Sequence, residues 1–533
     1  MAGRLAVDFG TSNTVVALWD PGRKQAVTVP LAGVAVPRIH DGHEFNSVPS
    51  TIHYQGPRVR VGRQVLDENL LASPATFRWM KGYVAGKMRL PRRLGERNVD
   101  NFQAAEDFLL QVLLAAGQYS DFANEDLAFT VPVEAFEDYG LWLEQVAQKA
   151  GVQSLRLLGE ASAAALGYAA RVRPGHAFMV FDFGGGTADI SVVKVEQGPQ
   201  QGQPRCQTLG KSGANLGGSV IDQWIVRHVL ATSDWSESDA RAAGGLLLAE
   251  AERCKEALSE KTEDDFTVMN PQDGRVFTRR LRRGDLEELL DEKGLFTDLN
   301  RHMDLAEFQA RERGFDRDHI DLCLMVGGSS LIPSVQRLVR QRFGRERVRC
   351  ERPFDAVAAG AAAYVAGMDF DDRIHHEYAL RVFDRAKNDY VYRTIVPAGT
   401  PYPGPILDTN PERRGQPLVL TIKATNVDQT RLGLEVFEVS RREAVSRSEA
   451  APMQLVFDQN GGARYPACED AEDIRHRAMG SKTFITANPP AEKGVPRFLT
   501  SFSIDGQKRL CVTVKDNLVG KTLMRDQPMV KLM

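Results

Sequence analysis

One short pattern occurs twice in this chain: an apolar run of strand length, an aspartate, a turn of glycines and hydroxyls, then a second β-rich run. From Phe178 to Val195 it reads Phe-Met-Val-Phe-Asp-Phe-Gly-Gly-Gly-Thr-Ala-Asp-Ile-Ser-Val-Val-Lys-Val. From Leu5 to Trp19 it reads Leu-Ala-Val-Asp-Phe-Gly-Thr-Ser-Asn-Thr-Val-Val-Ala-Leu-Trp. Each copy predicts a β-hairpin, one turning on Gly184, Gly185 and Gly186, the other on Gly10, Thr11, Ser12 and Asn13. Two copies so far apart predict two similar halves facing each other across a cleft.

The tips suit an anion. Residues without a Cβ let the backbone take φ > 0 and let several N–H groups converge on one oxyanion. Thr187 and Asp189 add a hydroxyl and a carboxylate. Asp182 ends a strand that reads as buried on both faces, a costly place for a carboxylate unless it meets a cation. A hydrated Mg²⁺ held through one or two carboxylates plus phosphates is the usual solution. For a single hairpin, a plain glycine-rich loop with two solvated aspartates competes, because short glycine motifs match by chance. The duplication weighs against it.

Whole-chain properties narrow the classes. At 533 residues the chain should hold several domains. Its 67 Lys+Arg against 70 Asp+Glu give a net charge of −3, which supplies no global attraction to nucleic acid or to an anionic membrane. The cysteines at 206, 254, 323, 350, 468 and 511 are scattered, with no Cys-x-x-Cys pair, so neither a zinc site nor a disulfide framework is expected. The N-terminus enters strand pattern without a charged-then-apolar leader, and no apolar run approaches a membrane span. A cytoplasmic protein is the expectation.

In order, the first hairpin is followed by β-like runs at 48–54 and 58–62, then a basic segment from Thr76 to Arg89 that carries Lys81. A lysine there can neutralise a transferred phosphoryl group, although a solvated surface lysine is the default. Helical spacing at 107–119, a β-run at 127–133 and an amphipathic helix at 136–150 closed by Gly151 give α/β grammar. Gly159-Glu160-Ala161-Ser162 then opens an alanine-rich helix. Glu160 reads either as an acid favoured by the helix dipole or as a group that positions a water beside phosphate loops. A polar loop at 197–205 and Asn215-Leu216-Gly217-Gly218 lead into another helix. A single long helix is predicted over 240–258, where Glu252, Lys255 and Ser259 share one face, either as a surface ion pair or as contacts to a polar ligand. The arginine-rich stretch 277–285 lacks interleaved aromatics and reads as a solvated face. A strand at 320–326 ends in Gly327-Gly328-Ser329-Ser330, bare backbone against which a flat ring can lie, and a helix of small residues follows at 356–366. Beyond a charged connector, β-rich runs at 395–405, 418–424, 432–439, 453–457, 498–504 and 510–514 predict a β-sandwich of about eight strands. The stretch 461–496 reads as a long loop. Gly520-Lys521-Thr522 lacks the upstream glycine of a P-loop, and Asp189 stands where a dinucleotide fingerprint needs glycine or alanine.

The two hairpins, the Gly159-to-Tyr168 connector and Met325-Val-Gly-Gly-Ser-Ser330 resemble the phosphate, connect and adenosine motifs of the actin-like ATPase superfamily. Within it, Thr130-Val-Pro132, Asn215-Leu-Gly-Gly218 and Glu252/Lys255/Ser259 resemble the DnaK-type heat shock protein 70 chaperones. The resemblance is strong over residues 3–367 and continues more weakly through Val396-Pro-Ala-Gly-Thr-Pro-Tyr-Pro403, Leu432-Gly-Leu434 and Phe502-Ser-Ile-Asp505. It implies a two-lobed actin-like ATPase domain at 1–367, a linker at 368–377 and a β-sandwich at 378–533 that binds extended polypeptide or a dedicated partner. It also implies ATP or ADP with Mg²⁺ as cofactors, and J-domain and nucleotide-exchange partners. Carried over by position, Gly10 to Asn13 and Gly184 to Thr187 hold the phosphates, and Asp8 and Asp182 hold Mg²⁺ through water. Lys81, Glu160 and Asp189 orient the hydrolytic water, with Thr187 near the γ-phosphate. Gly217, Gly218, Glu252, Lys255, Ser259, Gly327, Gly328 and Ser329 surround ribose and adenine.

The sequence departs from that family in several places. Leu331 replaces an arginine that stacks on adenine, removing a cation–π contact. Phe354 replaces an aspartate near the ion, and Asp369-Phe370-Asp371-Asp372 replaces a leucine-rich linker. No helical lid is expected before Met533, and the arginine that partners the family's switch proline is replaced near Leu141 or Trp142. The expectation is an atypical, slowly hydrolysing, chaperone-like ATPase. Its rivals are a filament-forming actin homologue, a small-molecule kinase of the same superfold, and a nucleotide-sensing scaffold with little turnover.

Overall fold

The computed structural model describes residues 4–132, 137–169, 175–197, 204–367, 370–371, 374, 377–384, 389–397, 400–402, 404–441, 456–457, 463–464, 474–478, 483–505 and 509–532. They form two compact units, Met1–Phe370 with Ala450–Cys468, and Asp371–Glu449 with Glu469–Met533.

The first unit contains the repeat. Leu5–Phe9 pairs antiparallel with Asn13–Asp20 and parallel with Asp126–Val131, which pairs parallel with Ser154–Gly159. Ala177–Phe183 likewise pairs antiparallel with Ala188–Gln197 and parallel with Ile320–Val326, which pairs parallel with Val348–Arg349. The same grammar thus builds two sheets, each with a hairpin whose first strand is flanked by later parallel strands. Those first strands are central and covered on both sides, which is why Ala177–Phe183 is buried throughout and reads as a continuous apolar run.

Helices of small residues hold the two sheets at close quarters. Glu160–Ala169 and Ala356–Val365 are alanine-rich and cross where side chains nearly vanish. A Cβ on Gly360 would collide with the Ala163 carbonyl oxygen and stand 2.6 Å from the Gly167 nitrogen. Burial of this seam fixes where Glu160, the first residue of its helix, emerges. The segment 240–258 is not one helix: Glu237–Ala242 ends before Gly244–Glu260 begins. The paired glycines 244 and 245 supply the break, and a Cβ on Gly245 would lie 3.3 Å from the Ala72 carbonyl. The arginine-rich stretch is the strand Val276–Arg282.

Apart from a 3-10 turn at Pro411–Arg413, the regular elements described in the second unit are all β. One sheet runs Asp389–Val396, Glu377–Asp384, Val436–Arg441, Ile474–Ala478. Another runs Gly404–Pro405, Pro496–Ile504, Arg509–Asp516, Lys521–Lys531, with Val419–Lys423 also on Pro496–Ile504. Phe498, Phe502, Val512, Val514, Leu420 and Ile485 lie in one apolar core. The Arg497 guanidinium grips the Asp516 carboxylate through Nε (3.0 Å) and Nη2 (2.8 Å). Three strand expectations are corrected. The run expected at 395–405 is split between the end of Asp389–Val396 and the separate strand Gly404–Pro405. The run at 432–439 is broken at Glu435 into Gln429–Leu434 and Val436–Arg441. The expected loop at 461–496 contains the strands Ile474–Ala478 and Thr483–Ala491. Its prolines hid the alternation of buried Ile485 and Ala487, and they are tolerated because Thr483–Ala491 pairs only with Gln429–Leu434 among the described strands. Most of the expected connector at 368–377, the run at 453–455 and the remainder of 461–473 lie outside the described residues.

Two outcomes follow. Gly360→Ala should lower the stability of the first unit by at least about 2 kcal/mol, read as a fall in its thermal midpoint, because backbone on both sides must move. Burial pushes the fully covered Glu438 carboxyl up to about 7. Between about 4.5 and about 7 the folded chain therefore keeps a proton that the unfolded chain has lost, so stability present below that window falls as pH rises across it and levels off above about 7. Urea midpoints of the second unit should fall across that window, approaching about 1.4 kcal/mol per pH unit, and Glu438→Gln should flatten the slope.

Candidate nucleotide site

The hairpin tips meet. A Cβ on Gly185 would lie 2.5 Å from Ser12 Oγ, and one on Gly186 2.5 Å from Thr11 Oγ1. Gly217 closes over the same loop, where a Cβ would stand 2.6 Å from the Gly186 nitrogen. These glycines are required by contact rather than by dihedral. Contrary to the expectation of φ > 0, none of Gly10 or Gly184 to Gly186 has positive φ, whereas Gly327 does, at 80°. Gly10 is tied by its own turn, since a Cβ there would strike the Asn13 carbonyl.

Hydrogen bonds fix the loops. Gly184 N–H donates to Thr187 O (2.9 Å), while the Gly184 carbonyl accepts from Gly218 N–H (3.0 Å) and Ser329 Oγ (2.8 Å). Ser219 N–H donates to Gly185 O at 2.7 Å. Opposite, Ser50 Oγ donates to Gly10 O at 2.8 Å and Ser50 N–H to Ser12 O at 2.9 Å. The carbonyls of Gly10, Ser12, Gly184, Gly185 and Thr187 are thereby spent. No backbone acceptor among the described residues takes the Gly185 or Gly186 N–H, the arrangement a phosphate nest needs.

Behind the tips lies a charged cluster. Lys81, only 5% exposed, is ion-paired with Glu160, which excludes the solvated-lysine reading. Asp182 and Asp189 face each other across the second hairpin at 9% and 0% exposure, so neither is a solvated loop aspartate. Thr130 Oγ1 donates to Asp8 Oδ1 at 2.6 Å. Burial raises Asp182 well above the usual carboxylate range, and Glu160, Asp189 and Asp8 add to the rise while Lys81 opposes it. Burial also lifts Glu160 to about 7, opposed by Lys81 and reinforced by Asp8 and Asp189. Asp8 is raised by burial against the pull of Lys81 and Thr130. Burial alone would lower the Lys81 ammonium, but Glu160, Tyr139 and Asp8 hold it well above its ordinary value. These groups therefore share one site, although they come from five separate segments.

The expected ribose and adenine residues are engaged within the chain. Lys255 Nζ donates to Asp222 Oδ1 (2.7 Å) and Gly218 O (3.0 Å), and Glu252 pairs with Arg78. Ser259 Oγ donates to Lys255 O at 3.1 Å. Burial would lower Lys255, yet Asp222 and Glu252 outweigh it. Burial brings Asp222 up to about 7 against Lys255. Leu331 is half-buried in the turn Gly328–Leu331. Phe354 stacks on Phe45 (5.2 Å, 11°) and approaches Gly328, where a Cβ would lie 3.3 Å from its ring. Asp355, beside it, is occupied by His43 (2.8 Å) and Arg352 (2.5 Å).

Sequence reasoning missed Asp222, Arg78 and Tyr139. Asp222 was signalled by an acid beside Ile221 on an apolar helix face, and Arg78 by its place in the basic segment before Lys81. Nothing in the local pattern marked Tyr139.

A family model for Hsp70 protein matches residues 133–373. Over 542 aligned residues the chain is 23% identical to chaperone protein dnaK1 of Prochlorococcus marinus, covering 97% of this chain and 73% of that protein. Chaperone protein dnaK of Cyanidioschyzon merolae is 25% identical, with 98% and 81% covered. Heat shock 70 kDa protein 7, chloroplastic, of Arabidopsis thaliana is 25% identical, with 97% and 68% covered.

Because Asp222 is covered, Lys255→Ala should cost the ligand-free protein about 3 kcal/mol, while Lys255→Met with Asp222→Leu should recover most of it. Denaturation midpoints of the two variants check this. A Lys255→Ala midpoint equal to wild type would mean that the pair contributes nothing to the fold.

Proposed function

We infer from the family-model match over residues 133–373 and the 23–25% identical relatives that this chain is a divergent member of the Hsp70 family of ATP-hydrolysing chaperones, and we propose that it binds ATP with Mg²⁺ between its duplicated hairpins. Slow hydrolysis there regulates the grip of the β-sandwich, residues 378–533, on an extended polypeptide or a dedicated partner protein. J-domain and nucleotide-exchange partners belong to the same reading. So does a cytoplasmic location; separately, no described helix is long and apolar enough to cross a membrane.

The observation that carries the reading is the contact of Gly185 and Gly186 with Ser12 and Thr11, backed by the acidic cluster around Lys81. In this account, residues 10–13 and 184–187 donate to the phosphate oxygens. Glu160 and Asp189 orient a water, Lys81 takes up charge on the transferring group, and Thr187 steadies the γ-phosphate. Phosphoryl transfer to water is mostly positioning and charge neutralisation, so these roles suffice. Mg²⁺ fits the donor set: Asp8 and Asp182 are carboxylates whose burial leaves negative charge in want of a cation. Among the described residues no three side chains converge as direct metal ligands, which suits an ion held through water by two carboxylates and by phosphates. Bound there, it would neutralise the β- and γ-oxygens.

On the nucleoside side, Lys255 keeps its bonds to Asp222 and Gly218 and lends its charge from behind, while Glu252 must exchange Arg78 for a ribose hydroxyl or share both. That engagement, with Leu331 and Phe354, favours one second reading, a nucleotide sensor with little turnover. Single-turnover hydrolysis separates the two. Lys81→Ala should slow the chemical step at least about 100-fold while ATP affinity stays within about tenfold. An unchanged rate would leave only the sensor.

A further inference from the structure

Helix Glu137–Lys149 delivers a phenol to the edge of the charged cluster. Tyr139 is 2% exposed, and its ring packs on Trp142 with centroids 5.9 Å apart at 36°. Trp142 in turn packs on Phe9, the residue after Asp8, at 6.3 Å. The ring is therefore locked against the strand that carries Asp8. Its hydroxyl has no hydrogen-bond partner among the described residues.

That buried oxygen lies within the field of charged groups. Lys81, Glu160 and Asp8 all act on it. Each already has a partner, since Lys81 binds Glu160 and Asp8 accepts from Thr130. Buried phenols normally find a partner, and one left unbonded is costly in a way that phenylalanine of the same shape would avoid. A hydroxyl held rigid beside a lysine–glutamate pair, with its lone pairs and proton unspent, is placed to serve something that arrives there.

We propose that Tyr139 is a positioning residue for hydrolysis, its hydroxyl accepting a hydrogen bond from the attacking water alongside the Glu160 and Asp189 carboxylates. This rests on the reading of the cleft as an ATP site. The water oxygen forms the new bond to the γ-phosphorus. The bond from phosphorus to the bridging oxygen breaks, and its electron pair leaves with ADP. The water's proton passes to the phosphate product and solvent, and Tyr139 keeps its own proton throughout. Its part is to hold the water's lone pair on phosphorus. Burial, Glu160 and Asp8 oppose ionisation of the phenol more than Lys81 favours it.

Tyr139→Phe in the intact protein deletes only the unbonded oxygen. Single-turnover hydrolysis of bound ATP should slow about 10- to 100-fold. ATP affinity by calorimetry and the thermal midpoint should not fall. ADP with aluminium fluoride, which mimics the transferring group with its water, should bind more weakly to the variant, whereas ADP with beryllium fluoride should bind equally to both. A wild-type rate in the variant, or equal weakening of both fluoride complexes, would overturn the proposal while leaving the ATP site standing. Wild-type protein that binds no ATP would bring down both.

Discussion

Asp8, Glu160, Asp182 and Asp189 are drawn into one poorly hydrated site around the Lys81 ammonium, and the imbalance of charge there governs what the first unit can do. Carboxylates removed from water raise their affinity for protons or for other cations. Burial accordingly displaces Asp8, Asp182 and Glu160 upward. A lysine alone does not meet that demand. On the proposed reading a triphosphate arriving with a divalent ion would, the ion answering the carboxylates and the backbone N–H groups at the tips taking the phosphates, with fixed dipoles and charges that need little rearrangement when the phosphoryl group moves.

Such a cluster forms only if two hairpins touch, and touch demands small side chains. Gly185 and Gly186 meet Ser12 and Thr11, and Gly217 covers the same loop. Gly360 and Gly167 let two helices cross at backbone distance behind them. The first set brings the two hairpin tips to one point, and the second fixes where Glu160 emerges from its helix. The nucleoside side follows another logic. Lys255 and Glu252 are tied to Asp222 and Arg78, and Phe354 stacks on Phe45 beside the Gly327–Gly328 turn.

The hairpins were legible because a doubly covered strand leaves an unbroken apolar run and because Asp8 and Asp182 interrupt such runs at the same place. The alanine-rich helix after Glu160 was legible from composition. The pairing of Lys255 with Asp222 was not, since a helix face shows which residues share a side but not which distant carboxylate comes to meet them. The turn glycines were found for an incomplete reason: they serve close approach, which depends on the opposing loop. The strand Thr483–Ala491 was hidden by Pro489 and Pro490, whose tolerance depends on its place in the sheet. Tyr139 left no trace because an unbonded hydroxyl is a property of its surroundings alone.

The central claim is that the two acidic hairpin tips clamp one triphosphate with a divalent ion between them. Calorimetric titration of ATP into the intact protein, with Mg²⁺ and again with chelator, tests it most directly. The account predicts one site per chain and a loss of affinity of at least about 100-fold without the ion, which corresponds to two steps of 1.4 kcal/mol. Equal affinity under both conditions, or no uptake of ATP in either, would contradict it.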